Sequence, residues 1–305
     1  MAKPARVLAD LRAFFNRETV FKISLVTPMQ LLLTFLLMPP FVIVIYLSLV
    51  RWQPILGTWT EAPFAGIQNF AHLFTEPRFY EALGRTLAIV VIAVSLEFLL
   101  GLGLALLFSR PFRGKRIFTS VILYPMMLPW VVVGFIFYLL FLDHGPVNYA
   151  LMSVLGPGAS VSWFSKPIPA IAAIIVGDIW QWTPFLFLIF YSGLGALPKE
   201  PREAAMTMGA TSWQIFRHIT FPMLKPVVLV AVIIRALECF KIFDLVYIMT
   251  GGGPGVSTES LSLYIYRVAF KYGQLSYAAA LAVVVLISIS VVTRLAVRPL
   301  LKEAT

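Results

Sequence analysis

The amino-acid sequence predicts an all-α protein that crosses a lipid bilayer several times. Of its 305 residues, 60% are hydrophobic and only 12% are charged, a balance that soluble domains do not show. The mean hydropathy is +0.89, and the apolar residues are gathered in long stretches with Lys and Arg between them. Because a backbone inside a bilayer must satisfy its own hydrogen bonds, we expect these stretches to be helices.

Six stretches are long enough to cross the membrane, since a spanning helix needs about 20 mainly apolar residues. Each of them ends in charged residues, proline or glycine. The predicted spans are 23–50, 86–108, 117–142, 168–195, 223–249 and 276–296. Proline is expected to bend several of these helices, at Pro39, Pro40, Pro125, Pro129, Pro184 and Pro226.

The distribution of Lys and Arg predicts that both termini lie in the cytoplasm. With this orientation, 16 of the 24 basic residues fall in cytoplasmic segments or at the cytoplasmic ends of the spans, six fall outside, and two, Arg235 and Lys241, fall well inside a span. The net charge of +10 is therefore explained by membrane orientation and does not indicate nucleic-acid binding. The predicted organisation is a cytoplasmic N-terminal segment at 1–22, a six-helix transmembrane domain at 23–296 with a cytoplasmic loop at 198–222, and a cytoplasmic tail at 297–305.

The residue content argues against several chemistries. A single cysteine, Cys239, excludes an internal disulfide framework and a cysteine metal cluster. A phosphate-binding loop is not expected, because Gly114-Lys115 is followed by Arg116 and the glycine cluster at 251–255 contains no lysine. No nucleophile is paired with a base in a recognisable pattern. The chain is therefore predicted to have no catalytic residues, no metal and no cofactor of its own.

A polar segment, Glu203–Pro222, separates the fourth and fifth predicted spans. Glu203 is expected in the first turn of a short helix after Pro201, where the helix dipole favours a carboxylate, and Gly209 allows a sharp change of direction. An apolar stripe then follows at helical spacing, at Trp213, Phe216 and Ile219. The segment is predicted to be a surface element, either a docking site for another protein or an interfacial helix on the bilayer.

This segment resembles the EAA loop of ABC importer permeases. The shared pattern is Glu-Ala-Ala, three residues, Gly, nine residues and Ile-x-Leu-Pro, and the one departure is Phe221 in place of leucine. The resemblance implies that the apolar stripe docks in a cleft of a separate ATP-hydrolysing subunit and that Glu203 makes a polar contact there. The residues assigned to coupling on this basis are Glu203, Ala204, Ala205, Gly209, Trp213, Phe216, Ile219 and Pro222.

Other segments resemble carbohydrate permeases of the maltose-transporter type. They include 64–70 before the second span, and 243–247 leading into 249–254, which is similar to one of the two permease types in sugar importers. The resemblance implies import of a carbohydrate, such as a disaccharide or sugar glycoside, across the inner membrane of a prokaryote. It also implies the partners: a second related permease, two ATPase subunits that bind ATP and Mg, and an extracytoplasmic solute-binding protein.

Charged residues inside a span are costly and indicate a functional site. Six lie well inside the predicted spans, away from their cytoplasmic ends: Glu97, Asp178, Arg235, Glu238, Lys241 and Asp244. Asp178, Trp182 and Phe185 are predicted to lie on one face of the fourth span. Another set is predicted to lie on one face of the fifth span, namely Arg235, Glu238, Cys239 and Ile242. An aromatic surface beside charged groups suits a sugar, and the resemblance places a pocket on the same two spans. The predicted substrate-binding residues are Asp178, Gln181, Trp182, Phe185, Arg235, Glu238, Cys239 and Ile242.

Alternatives remain open at this point. One alternative is that Asp178–Arg235 and Glu238–Lys241 are buried ion pairs, which hold spans together and do not bind a substrate. An ion-coupled secondary transporter would use intramembrane carboxylates such as Asp178, Glu238 or Asp244 as ion sites, but it would not need a docking loop. Finally, Arg235 would suit the phosphate of a glycerol phosphate cargo.

Overall fold

The computed structural model describes residues 17–303, and its regular secondary structure is helical. The described helices are α1 (Arg17–Leu49), α2 (Gln68–Thr75), α3 (Pro77–Phe108), α4 (Lys115–Leu123), α5 (Trp130–Leu140), α6 (Pro146–Leu155), α7 (Pro167–Ala196), α8 (Glu200–Thr207), α9 (Ser212–Ile215), α10 (Phe221–Phe240), α11 (Asp244–Met249), α12 (Leu261–Tyr266) and α13 (Leu275–Glu303). The all-α prediction is confirmed. Residues 1–16 of the predicted N-terminal segment and 304–305 of the predicted tail lie outside the described residues.

Four of the described helices, α1, α3, α7 and α13, are long and apolar enough to cross a membrane. The pair α4–α5 adds a fifth span if the two helices are counted as one, although the chain bends by 98° between them. Pro125 and Pro129 lie at this bend. They interrupt the helix because proline lacks a backbone N–H and its ring clashes with the preceding turn. The expected proline bend in the third predicted span is therefore confirmed.

The predicted span at 223–249 is not one continuous helix, which corrects the sequence analysis. α10 ends at Phe240, and α11 begins at Asp244 after three non-helical residues. The N–H of Lys241 donates back to the carbonyl oxygen of Glu238 at 3.2 Å and closes the last turn. Asp244 lies in the first turn of α11, where the helix dipole favours its charge. Charged residues thus surround the break.

Helix α3 packs most extensively against α7. A Cβ atom at Gly101 would lie 2.9 Å from Cβ of Leu186 and 3.0 Å from the backbone nitrogen of Phe187, so the two backbones approach closely because glycine has no side chain. Apolar side chains of α3, α7 and α10 then form a common buried cluster. These three helices also carry the charged residues that the sequence places inside spans at Glu97, Asp178 and Arg235.

The glycine cluster after α11 makes a tight turn. Gly251 and Gly252 have φ of +56° and +90°, which side-chain-bearing residues rarely adopt. Glu259 is buried and accepts hydrogen bonds from Arg78 at 2.8 Å and from Arg267 at 2.6 Å. Arg267 also donates to the carbonyl oxygen of Gly251. The two arginines thus tie this turn to the start of α3.

Candidate functional site

The 198–222 loop contains two short helices joined at a glycine. α8 begins at Glu200, one residue before Pro201 rather than after it, because the first helical turn does not need the N–H that proline lacks. Glu203 lies in the first turn with an exposed side chain, as predicted. Gly209 has φ +81°, so the chain uses the backbone freedom of glycine where the motif places it.

The second half of the loop is capped by side chains. The N–H of Thr211 donates to Oε1 of Gln214 at 2.8 Å, and the N–H of Gln214 donates to Oγ1 of Thr211 at 3.4 Å. This reciprocal capping starts α9. A five-residue π-helical turn, Phe216–Thr220, then leads into α10. The predicted stripe of Trp213, Phe216 and Ile219 therefore does not lie on one regular α-helix, because the π turn widens the helix and changes the spacing.

The apolar side chains of the loop differ in exposure. Trp213 is 64% exposed, and its ring centroid lies 5.5 Å from that of half-buried Phe216. Met208 is 87% exposed, and Met206 is also exposed. Sequence analysis missed both methionines, although they lie between Glu203 and Gly209 of the motif. Exposed methionine and tryptophan form an adaptable apolar surface, which suits contact with another protein.

The remaining residues assigned to coupling are exposed or half-buried. Ala204, Gly209 and Pro222 are exposed, whereas Ala205 and Ile219 are half-buried. None of them is fully buried in the fold.

A buried polar cluster joins α3, α7 and α10. The buried guanidinium of Arg235 donates to both carboxylate oxygens of Glu97, at 2.7 and 2.8 Å. It also donates to Oδ2 of Asp178, and Sγ of Cys239 lies 3.4 Å from the same oxygen. Asp178 and Arg235 therefore form an ion pair, which is one of the alternatives that the sequence left open. The second partner, Glu97, was missed because spacing along the chain does not reveal which helices pack together.

Aromatic side chains lie beside this cluster. The guanidinium carbon of Arg235 is 5.2 Å from the ring centroid of Trp182. Trp182 in turn lies 5.8 Å from Phe185 and 5.2 Å from Trp130, measured between ring centroids. Trp130 is the first residue of α5, directly after the proline bend, and sequence analysis did not identify it. Trp182, Phe185 and Trp130 therefore lie next to one another beside Arg235.

Gln181 is held by the α4–α5 bend. Its Nε2 donates to the carbonyl oxygen of Leu128 at 3.0 Å. Leu128 has an extended backbone just before Pro129, so its carbonyl group lies outside the regular helical hydrogen-bond pattern. Several buried polar atoms of this region make no hydrogen bond within the described residues: Asp178 Oδ1, Gln181 Oε1, Trp182 Nε1, Thr183 Oγ1 and Arg235 Nη1. Together they offer donors and acceptors to a polar ligand.

Two of the predicted substrate-binding residues lie apart from the buried polar cluster. The side chain of Glu238 is 44% exposed and pairs with Lys241 at 2.8 Å. Ile242 is buried, but it follows the end of α10. The prediction that it shares a helical face with Arg235 is therefore wrong. Ile242 instead packs in an apolar cluster with residues of α3, α5, α7 and α11 and with Cys239 of α10.

The chain is similar to known transport proteins. A family model described as "Binding-protein-dependent transport system inner membrane component" matches residues 97–302. The trehalose/maltose transport system permease protein MalF of Thermococcus litoralis is 32% identical over 274 residues, which cover 85% of this chain and 92% of that protein. The sulfoquinovosyl glycerol transport system permease protein SmoG of Agrobacterium fabrum is 35% identical over 268 residues, which cover 88% of this chain and 86% of that protein.

A solved structure shares the fold. It is the crystal structure of a bacterial ABC transporter involved in the import of the acidic polysaccharide alginate, and one of its chains aligns with a TM-score of 0.79. The alignment covers 95% of this chain and 96% of that chain at 19% identity, so it supports the fold alone. The family match contains both the 198–222 loop and the buried polar cluster. This chain therefore belongs to the family of inner-membrane components of binding-protein-dependent transport systems.

Proposed function

We propose that this chain is a permease subunit of an ATP-driven importer that moves a carbohydrate across the cytoplasmic membrane of a prokaryote. A disaccharide or a sugar glycoside is the proposed cargo, because the names of the two relatives specify trehalose/maltose and sulfoquinovosyl glycerol. The chain supplies part of the passage and one coupling element. ATP and Mg are bound by separate ATPase subunits in this proposal.

The proposed topology has six spans with both termini in the cytoplasm, and the interrupted α10–α11 segment is the fifth span. The proposed partners are a second related permease, two ATPase subunits and an extracytoplasmic solute-binding protein. Dependence on a binding protein is part of the family description. Helix α1 leaves many large apolar side chains exposed, including Phe35 at 75%, which favours contact with lipid or with the second permease.

The observation that carries the proposal is the 198–222 loop. Its exposed Trp213, Met206 and Met208 lie on a polar segment directly between α7 and α10. We infer that the ATPase contact is made by Glu203, Ala204, Ala205, Gly209, Trp213, Phe216, Ile219 and Pro222. Closure of the ATPase dimer would move this loop and tilt the two flanking helices, which shifts the permeases between inward- and outward-facing states.

The proposed sugar site lies between α7 and α10, beside the buried polar cluster. When these helices separate, Asp178 and Arg235 become available to sugar hydroxyls, together with Gln181, Trp182, Phe185 and Cys239. Glu238 and Ile242 lie to the side of this site. Two carboxylates, Asp178 and Glu97, face one guanidinium, so the cluster has no spare positive charge for an anion. The hydroxyl groups of a sugar therefore fit this cluster better than the phosphate of glycerol phosphate.

The test is to purify the tagged chain in mild detergent and to measure co-purified ATPase activity. Glu203→Lys and Gly209→Pro are expected to lose the ATPase or to uncouple its activity from uptake. Glu200→Lys is the matched control, because it makes the same charge change in the first turn of the same helix and lies outside the motif. Loss of the ATPase in this control as well would point to a general charge effect.

One outcome of these measurements would contradict the proposed function. If no ATPase is recovered with the unaltered chain and vesicles accumulate sugar from an ion gradient without ATP, the proposed function is wrong. The intramembrane carboxylates would then be the ion sites to examine.

A further inference from the structure

A cavity of about 1120 Å³ lies between the 198–222 loop and the ends of α3 and α7. Its wall is formed by the end of α3, the start of α4, the last turns of α7 and the segments from α8 to α10. The volume is slightly above the roughly 300–1,000 Å³ typical of ligand sites. The cavity shares no residue with the buried polar cluster.

The wall of this cavity is strongly basic. Its charged residues are Arg110, Lys115, Lys199 and Arg202, and no Asp or Glu lines it. Within residues 17–303, none of the four takes part in an ion pair. Lys115 instead places its Nζ 4.9 Å from the ring centroid of Tyr191. The acidic residues of α8, including Glu203, do not line the cavity. We therefore call it the cationic cavity.

The four cations come from segments that are far apart in sequence. Arg110 and Lys115 flank the α3–α4 connection, whereas Lys199 and Arg202 lie about 90 residues later at the start of the 198–222 loop. An excess of basic residues on the cytoplasmic side is ordinary for membrane proteins. Their convergence around one concave site is a property of the fold.

The rest of the wall is largely apolar. Leu106, Leu194, Ile215, Phe216 and Met223 line it together with Trp213. A small soluble anion would use the cations and leave this apolar part unused. An amphipathic anion, with a phosphate group attached to a hydrocarbon chain, would use both. Basic pockets between spanning helices on the cytoplasmic side are suited to anionic lipid headgroups.

We propose that the cationic cavity binds an anionic phospholipid, with the phosphate among the four cations and the start of an acyl chain against the part of the apolar wall formed by Leu106, Leu194 and Met223. The arginines are suited to this role because a guanidinium bonds phosphate through paired N–H groups. The assignment to the cytoplasmic leaflet rests on the topology under the proposed function. A bound lipid would connect the 198–222 loop to the ends of α3 and α7, so the loop's contact with its partner would depend on anionic lipid.

The test is native mass spectrometry of the purified complex, titrated with phosphatidylglycerol in a phosphatidylcholine background. Arg110→Gln/Lys115→Gln is expected to weaken phosphatidylglycerol binding at least about tenfold, since each basic residue near a membrane surface adds roughly one kcal/mol of attraction. The matched control is Arg113→Gln/Arg116→Gln, which removes two charges from the same connection at exposed positions outside the cavity wall. The control should bind like the unaltered chain, and so should the charge-retaining variant Arg110→Lys/Lys115→Arg.

Unchanged binding in both glutamine pairs would overturn the proposal, because the cations of the cavity would then not hold the lipid. An equal loss in both would also overturn it, because the lipid would then sense only overall surface charge. A parallel titration with inorganic phosphate separates a soluble ligand from a lipid. Competition by phosphate at similar concentrations would assign the site to a soluble anion instead.

If Arg110→Gln/Lys115→Gln does not fold, Lys199→Gln/Arg202→Gln is compared with Arg217→Gln/Lys225→Gln. ATPase co-purification is measured in the same samples. If the unaltered chain binds the lipid but recovers no ATPase, that result would count against the proposed coupling and not against the lipid site.

Discussion

At the scale of single residues, Gly209 is needed for its backbone conformation. Its φ is +81°, and a Cβ atom there would meet no atom within 4 Å, so alanine would be penalised only by backbone strain. We predict that Gly209→Ala costs about 1–2 kcal/mol of local stability in the 198–222 loop. Hydrogen exchange of the amides in α8 and α9 would measure this cost as faster exchange.

Gly195→Ala is the control for Gly209→Ala. Gly195 also has open space at its Cβ position, but it lies within α7, where alanine is favoured over glycine by up to about 1 kcal/mol. Its exchange rates should be unchanged or slower. Equal acceleration in both variants would contradict the assignment of a conformational role to Gly209.

Arg235 is the residue on which the buried polar cluster depends. Removing it leaves Glu97 and Asp178 buried without a positive partner, so Arg235→Met is predicted to lower stability by about 3–5 kcal/mol. The triple variant Glu97→Gln/Asp178→Asn/Arg235→Met removes all three charges and should recover most of this loss. Thermal unfolding in detergent measures both effects.

The triple variant also separates the two interpretations of the cluster. A stable triple variant that no longer imports sugar would support a substrate contact. A triple variant that is no more stable than Arg235→Met would show that charge balance does not control stability here.

At the scale of elements, the contact of α3 with α7 depends on Gly101. The missing Cβ allows an approach to Leu186 and to the backbone of Phe187 that a methyl group would block at 2.9 to 3.0 Å. Gly101→Ala is therefore predicted to destabilise the protein by about 1–3 kcal/mol, as overpacking does. Thermal unfolding should show a lower midpoint temperature.

Gly103, two residues along the same helix, is the matched control. A Cβ atom there meets nothing within 4 Å, so Gly103→Ala should be neutral or stabilising because alanine favours helix. A similar loss in both variants would show that helix flexibility, rather than close packing, explains the effect at Gly101.

The helical elements themselves were predictable to different degrees. Hydropathy predicted α1, α3, α7 and α13, because a long apolar run has few alternatives in lipid. The prolines predicted a bend in the third span. The interruption at 241–243 was missed, because local hydropathy does not distinguish one helix from two that meet at a charged break.

At the scale of the whole molecule, the proposed topology can be tested with single cysteines. Cys239 is the only cysteine and is buried, so Cys239→Ser gives a background without reactive thiols. In that background Thr60→Cys should react with a membrane-impermeant thiol reagent in intact cells. Arg113→Cys, in the α3–α4 connection, should react only after the cells are permeabilised. Both positions are exposed in the structure, so burial does not confuse the comparison. The reverse pattern would invert the proposed orientation.

The sequence by itself determined the all-α membrane class, the location of most spans and the composition of the 198–222 loop, because hydropathy, proline and a local motif are properties of neighbouring residues. The tertiary structure decided which of these residues meet. It brought Glu97 to Arg235 across 138 residues, placed Trp130 beside Trp182, and separated Glu238 from the buried polar cluster. It also gathered four cations from two distant segments around one cavity. Helical periodicity shows which residues share a face, whereas the pairing of faces depends on how the helices pack, and that is set by contacts such as the one at Gly101.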